Sequence, residues 1–302
     1  MAVYVVGDFL RETRLRKGYT QEEVSNGICT TASLSRIENG AQKPGRLILE
    51  KLFERLGTEN NLFNSFVSRE EMELYIAIQT LIRNVTDGDL HRIEEQIDIV
   101  EKLTQNTELE RQSLFWAKGE LATQKYGNDC EAMDCFMKAV QITLPDFDGK
   151  NPLRNHLLTF DEITIINSIA VRHGENGDLL TAIQLDMWLK EYMENKIIDG
   201  RMKTAKYPMI LYNLSYWLGE ENCHNEALKM AEQGVDFCVK YGNLPAFPIL
   251  MFNQGAALAE LERYDEAKKC FLQSITIFEA MKKPSQVQTA IDWCREHYKI
   301  EF

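Results

Sequence analysis

Between residues 20 and 40 the chain sets small polar groups and one arginine at helical spacing, a combination suited to reading DNA. In Thr31-Ala32-Ser33-Leu34-Ser35-Arg36-Ile37-Glu38, Leu34 and Ile37 stand at i, i+3 and turn inward. Thr31, Ala32, Ser33 and Arg36 are left on or near the outer face. Arginine can bond guanine in a bidentate way, giving about 1–3 kcal/mol of discrimination, and threonine and alanine offer modest contacts that include the thymine methyl. Thr30 is placed to cap this helix and Asn39-Gly40 to end it. Upstream, Thr20-Gln21-Glu22-Glu23 has the spacing of a capping box, and a short helix through Val24 and Ser25 stops at Gly27. Two short helices around a tight turn are what the major groove requires, because it admits one helix and is read near that helix's N-terminus. Glu38 carries the wrong charge for DNA and is assigned to an intradomain ion pair or cap. A preceding helix holds Phe9, Leu10, Thr13 and Leu15 on one side, with Arg11, Arg14, Arg16 and Lys17 largely outside, and ends at Gly18.

A second candidate set lies far downstream. Asn213 and Asn253 each stand fourteen residues before a small residue, Ala227 and Ala267, and Asn167 stands fifteen before Ala182. An asparagine amide both donates and accepts, so a row of them can grip an extended peptide backbone without reading its side chains. Tyr212, Tyr216 and Phe252 are candidates for side-chain pockets, whereas Trp217 reads as core. Arg172 is a candidate partner for a peptide carboxylate.

The rest of the sequence narrows the function classes. The formal net charge of -12 argues against a protein that coats nucleic acid over its whole surface, but residues 1–57 hold nine Lys/Arg against seven Asp/Glu, which leaves -14 on the remainder. A mildly basic head on an acidic body fits local DNA contact by the head. The seven cysteines are scattered without a C-x-x-C pair, and the five histidines do not cluster near them, so neither a metal site nor a disulfide framework is expected. No phosphate-binding glycine loop, nucleophile motif or metal-ligand spacing occurs, so no catalytic residue, enzymatic activity or cofactor is expected. No apolar run approaches the ~18 residues of a membrane span, and the N-terminus lacks the basic flank of a secretory signal. The expected location is the cytoplasm.

The stretch LRETRLRKGYTQEEVSNGICTTASLSRIENGAQKPG resembles the Xre/Cro-type helix-turn-helix over about sixty residues, through T-Q-E-E-V and L-S-R-I-E-N-G at this spacing. The resemblance implies that Gln21 contacts a phosphate, that Thr31, Ala32 and Arg36 lie against base edges, and that Ser33 and Ser35 are nearby. Lys43, in the following loop, is a candidate for a further phosphate contact. So small a head binds weakly alone, so a homodimer on a two-fold double-stranded operator is the expected form.

Stepping along the body, nothing after Glu70 reads as strand. The segment from Met251 to Phe271 resembles a tetratricopeptide repeat: Gly255 and Ala267 let two antiparallel helices approach, and Phe271 fills the gap. Ala132, Ala182, Ala227 and Ala267 recur at spacings of 50, 45 and 40, longer than the ~34-residue repeat. A degenerate unit spans residues 72–103, through Ala77 and Ile93. The fold is therefore expected to be all-α: a five-helix helix-turn-helix domain over 1–57, a linker or hinge over 58–70, and a tetratricopeptide-like right-handed superhelix over 71–302 for ligand sensing and dimerisation. The combination resembles the peptide-responsive Rap/NprR/PlcR/PrgX regulators and their Rgg-like relatives. That resemblance implies a dimer whose body binds a short signalling peptide and thereby changes how the two heads meet DNA. The alternative is a repressor whose repeats serve only as a dimerisation or protein-interaction scaffold.

Overall fold

The computed structural model describes residues 6–58, 68–104, 107–196, 198 and 200–299. Among these, every regular element is a helix. The head contains α1 (Val6–Arg16), α2 (Gln21–Ser25), α3 (Thr31–Glu38) and α4 (Arg46–Arg55). Its core gathers Leu10, Val24, Leu34, Ile37, Leu52 and Phe53, with Phe9 tilted against Phe53 at 5.8 Å. Gly7 allows α1 to close on α3, since a Cβ there would lie 2.0 Å from the Ile37 carbonyl oxygen. The fifth helix, α5 (Arg69–Asp87), leans on α4 and pairs with α6 (Leu90–Leu103), so it serves both head and repeats.

The inward arc of α1 differs from the sequence reading. Leu15 is 57% exposed, while Arg14 is buried and Lys17 half-buried. The arc runs through Leu10, Thr13, Arg14 and Lys17, as i, i+3, i+4, i+7 geometry requires, and Leu15 falls a step of about 100° off it. Arg14 enters the core because Glu38 meets it there, and Lys17 turns in to donate to the Leu56 carbonyl.

The chain divides into two compact units. The first runs to Arg172, with residues 196–199, and so takes in the helix-turn-helix together with α5–α8 and most of α9 (Phe160–Glu175). It contains the pairs α5/α6 and α7 (Glu108–Tyr126)/α8 (Asp129–Gln141). Of the expected linker over 58–70, residues 59–67 lie outside the described residues.

The second unit holds α10 (Leu179–Asn195), the pairs α11 (Gly200–Glu220)/α12 (His224–Tyr241) and α13 (Phe247–Glu260)/α14 (Tyr264–Ala280), and α15 (Pro284–Tyr298), which packs on α14. The close-approach rule holds where the sequence placed it. A Cβ on Gly255 would sit 2.8 Å from the Phe271 ring and 3.2 Å from the Ala267 carbonyl oxygen. In the first unit Gly119 and Phe136 repeat the device, at 2.5 Å. Ala132, Ala182, Ala227 and Ala267 are all buried, each in the first turns of α8, α10, α12 or α14.

The widest repeat spacing, 50 residues, has a local cause. Between α8 and α9 the chain makes a long connection, residues 142–159, instead of a tight turn. Leu157 from this segment is buried in the core of the head, and Thr143 abuts the turn at Gly27.

Candidate nucleic-acid interface and repeat surface

Helix α2 starts on the expected capping box. The Thr20 hydroxyl accepts from the Glu23 amide at 3.1 Å, and the Thr20 amide donates to Glu23 Oε2 at 2.6 Å. The Thr20 amide, with the Thr20 hydroxyl that also lies 2.8 Å from Glu23 Oε2, holds the Glu23 carboxyl below the usual carboxylate range. Helix α3 starts on Thr30, whose hydroxyl accepts from the Ser33 amide at 3.1 Å and donates to Ser33 Oγ at 2.9 Å. Gly27 and Gly40 take positive φ, +69° and +70°, where helices α2 and α3 have ended.

On α3, Thr31, Ala32 and Arg36 are exposed, and Ser33 and Ser35 are half-buried. Arg36 is held in place before any ligand arrives: Nε donates to Gln42 Oε1 at 3.0 Å and Nη2 to Ser33 Oγ at 3.1 Å. Lys43 is exposed in the next loop. Gln42, which the sequence reading passed over, is therefore a positioning residue for Arg36; it lies two residues past Gly40, off any helix register, so periodicity gave no hint of it.

Beneath this face Glu38 makes the intradomain ion pair that its charge implied. Arg14 donates from Nε to Oε1 at 2.6 Å and from Nη2 to Oε2 at 2.8 Å. Gln21 Nε2 donates to the same Oε2 at 2.7 Å. Burial pushes the Glu38 carboxyl up, but the bonds from Arg14 and Gln21 outweigh it and the carboxyl stays below its usual range. A primary amide has two N–H donors, so Gln21 can serve Glu38 with one and still present the other outward.

The head is fastened to the repeats by buried charge. Arg55 Nη2 meets Glu162 Oε1 at 2.8 Å, with side chains only 1% and 0% exposed. Glu162 also closes a capping box at the start of α9, accepting from the Thr159 amide at 2.5 Å while its own amide donates to Thr159 Oγ1 at 3.2 Å. Arg55 Nη1 donates to the Asn26 carbonyl in the helix-turn-helix turn. Beside this pair, Lys51 Nζ lies 2.7 Å from Asp161 Oδ2 and 3.3 Å from Glu54 Oε2. Glu54 accepts from the Phe160 amide at 3.1 Å. One ammonium faces the carboxyls of Glu54, Asp161 and Glu50. Burial, with those neighbouring carboxylates, raises the Glu54 carboxyl to about 7 against the opposing pull of Lys51. The carboxylates in turn hold the Lys51 ammonium well above its ordinary range, outweighing its burial.

The repeat residues singled out for peptide contact have these positions. In the second unit Asn213 on α11 is buried, and its Nδ2 donates to Asp186 Oδ2 on α10 at 3.0 Å. Asn253 on α13 is half-buried and donates to Ser215 Oγ at 2.8 Å and to the Tyr212 carbonyl at 3.3 Å, tying α13 to α11. Tyr212 is half-buried and Tyr216 is 50% exposed. Burial raises both phenols. Phe252 packs 5.0 Å from Phe271 and 5.1 Å from Trp293. The structure thus brings Asn253 and Tyr212 into contact. Asn167, half-buried on α9, and Arg172, buried and bonded to Asp129 Oδ1 at 2.9 Å, belong to the first unit. Trp217 is buried, as core. Asp186 and Ser215, which hold the two asparagines, went unnoticed because a lone acid or serine on a helix carries no periodic signal.

A capped recognition helix with an exposed arginine, set in an all-helical array of paired helices, defines a DNA-binding regulator by class. The helix-turn-helix family model matches residues 10–59. Over 63 residues the chain is 38% identical to the uncharacterized HTH-type transcriptional regulator YqaF of Bacillus subtilis (strain 168), covering 20% of this chain and 83% of that protein. The chain belongs to the helix-turn-helix transcriptional regulators. Its fold is similar to that of Bacillus thuringiensis PlcR in complex with the peptide PapR7 and DNA, with a TM-score of 0.64 and 18% identity over 95% of this chain and 99% of PlcR. It is also similar to a putative transcriptional regulator from Listeria monocytogenes EGD-e, with a TM-score of 0.52 and 15% identity over 99% and 100% of the two chains. Among the described residues no helix is long and apolar enough to cross a membrane.

Proposed function

We propose that this chain is a sequence-specific, dimeric, cytoplasmic DNA-binding regulator whose repeats bind a short signalling peptide. The DNA reading rests on α3: Thr31, Ala32 and Arg36 are exposed on a helix with a capped N-terminus, and Arg36 is already oriented by Gln42 and Ser33. In this reading Arg36 and Thr31 meet base edges, Ala32 meets a thymine methyl, and Ser33 and Ser35 lie alongside. The second Gln21 amide hydrogen and Lys43 take phosphates and set the register.

Peptide control is supported by the likeness in fold to PlcR, whose structure holds a peptide together with DNA. The candidate contacts are Asn167, Asn213, Asn253, Tyr212, Tyr216, Phe252 and Arg172. The scaffold alternative has an observation in its favour: the Asn213 and Asn253 side-chain N–H groups are bonded inside the second unit. A peptide would have to use their oxygens or the second Asn213 N–H, or displace those bonds, whereas a scaffold needs none of these. Operator selected in vitro from random duplexes, followed by anisotropy titration with and without a library of short synthetic peptides, separates the two readings. A peptide that changes operator affinity at least tenfold supports the sensor. Selection of an operator with no response to any peptide supports the scaffold repressor, and failure to select any sequence overturns the DNA reading itself.

A further inference from the structure

A cavity of about 620 Å³ opens in the first unit where the helix-turn-helix meets the first repeats. That volume is typical of small-molecule sites, roughly 300–1,000 Å³. One wall is the turn from Gly27 to Thr30 and the first turn of α4; the other is the start of α5, the start of α7 and Ile142 just past α8. Its apolar lining comes from Ile28, Leu47, Ile48, Leu74, Leu109 and Ile142. Among the described residues the charged groups that line it are Glu70, Glu71, Glu108 and Glu110, with no lysine or arginine. Arg46, between the lining residues Gly45 and Leu47, is buried with its guanidinium over the Tyr75 ring at 5.4 Å. Glu71 accepts from the Arg46 amide, which joins α5 to the start of α4. Glu70 and Glu108 are exposed.

We infer that this cavity is an effector site for a small molecule with an apolar body and a protonated amine, distinct from the repeat residues assigned to peptide. The apolar walls take the body by burial of its surface, and the carboxylates at the mouth favour a cation and repel an anion. The position gives the site a consequence for DNA. Thr30, which lines the cavity, is the residue whose hydroxyl caps the recognition helix α3. An occupant touching both this turn and the starts of α5 and α7 binds better when head and repeats are docked, and so stabilises that arrangement.

The test uses the full chain and three probes with one apolar body: 4-phenylbutylamine, 4-phenylbutanol and 5-phenylpentanoate. Calorimetric titration is expected to give binding of the amine at least tenfold tighter than of the carboxylate, with the alcohol between. Cys29 lines the cavity and is half-buried, whereas Cys130 and Cys223 are exposed. Saturating amine is therefore expected to slow iodoacetamide alkylation of Cys29 at least fivefold, read by peptide mass spectrometry, and to leave Cys130 and Cys223 unchanged. The double substitution Glu70→Gln/Glu108→Gln, at two exposed positions, is expected to weaken the amine at least threefold and leave the alcohol unaffected. Leu109→Trp at the half-buried lip is expected to abolish binding of all three while the far-UV circular dichroism is retained. Equal affinity for the three probes, no amine binding at millimolar concentration, or amine binding that leaves the Cys29 rate unchanged would each overturn the assignment. None of these readouts depends on peptide or operator.

Discussion

Replacing one partner of the Arg55–Glu162 pair should loosen the head from the repeats, and replacing both should recover part of that loss. The two side chains are 1% and 0% exposed, so neither charge can fall back on solvent when its partner is removed. Breaking such a pair from one side typically costs about 3–5 kcal/mol, whereas exchanging both members for apolar groups is often neutral or stabilising. Here two other bonds modify those figures. Glu162 accepts from the Thr159 amide, so Glu162→Leu also removes a helix cap, adding about 0.5–2 kcal/mol. Glu162→Gln keeps an acceptor for that amide and isolates the loss of charge. Arg55 donates to the Asn26 carbonyl, so Arg55→Met leaves that acceptor unfilled, at about 1–3 kcal/mol.

Hydrogen exchange followed by mass spectrometry reads the effect locally, in peptides covering α4 and the start of α9. Glu162→Gln should raise exchange there by about two to three and a half orders of magnitude, at 1.4 kcal/mol per tenfold. Arg55→Met/Glu162→Leu should exchange more slowly than the sum of its single variants implies, with an interaction energy of about 2 kcal/mol or more. Peptides from α12 and α14, in the other unit, serve as internal controls. Single variants that change exchange by less than threefold, or a double variant whose losses simply add, would falsify the view that this pair clamps the joint.

Four further outcomes are expected. Arg36→Ala should weaken the selected operator by about 1–3 kcal/mol and relax specificity at one base position, while Lys43→Ala should weaken all sequences alike and reduce the salt slope by about one, both read by anisotropy at several salt concentrations. Gly27→Ala should destabilise the first unit by more than about 1 kcal/mol in urea unfolding, because φ is +69° and the new Cβ would lie 2.0 Å from the Thr143 carbonyl oxygen. Glu54, raised to about 7 by burial, should make the joint more stable in acid: the contribution is complete below its unfolded range near 4.5 and is lost as pH rises through about 7. Exchange in α4 should accordingly speed up between pH 6 and 8 after correction for intrinsic rates, and Glu54→Gln should remove that trend. Glu38→Ala should strand Arg14 in the core of the head and cost about 3–5 kcal/mol of its stability, measured by thermal unfolding of the full chain.

Much of the fold was legible in the chain, because it is written in local signals. Thr20, Thr30, Gly18, Gly27 and Gly40 act within three or four residues of themselves, and the structure uses each as its spacing implied. The small–large pairing of Gly255 with Phe271 is equally local, within one helical hairpin. What escaped was long-range. Arg55 and Glu162 lie 107 positions apart, and neither carries a pattern that names the other. Arg14 looked like solvent-facing charge until Glu38, 24 positions on, drew it inward. The one sequence trace of the joint was the irregular repeat period of 50 between Ala132 and Ala182. Insertions in a repeat array map to loops on one face, and this one meets the head through Leu157 and Thr143.

That joint changes how a signal can travel under the proposed function. A head carried only by a tether would respond to a ligand through the linker alone, and the linker's geometry would set the outcome. Here Lys51 and Arg55 on α4 reach Asp161 and Glu162 in the first turn of α9, and the Gly27 turn rests on Thr143. The same Arg55 holds the Asn26 carbonyl, four residues before the cap of the recognition helix. Any displacement of the start of α9 is therefore felt at the turn that sets α3. Buried ion pairs resist gradual stretching, because a charge pulled partly from its partner in a dry site loses attraction steeply and gains no hydration. The joint should then hold or release rather than bend. The element that an effector has to bias is this clamp, and the Glu54 carboxyl that burial raises to about 7 sits in it beside Lys51.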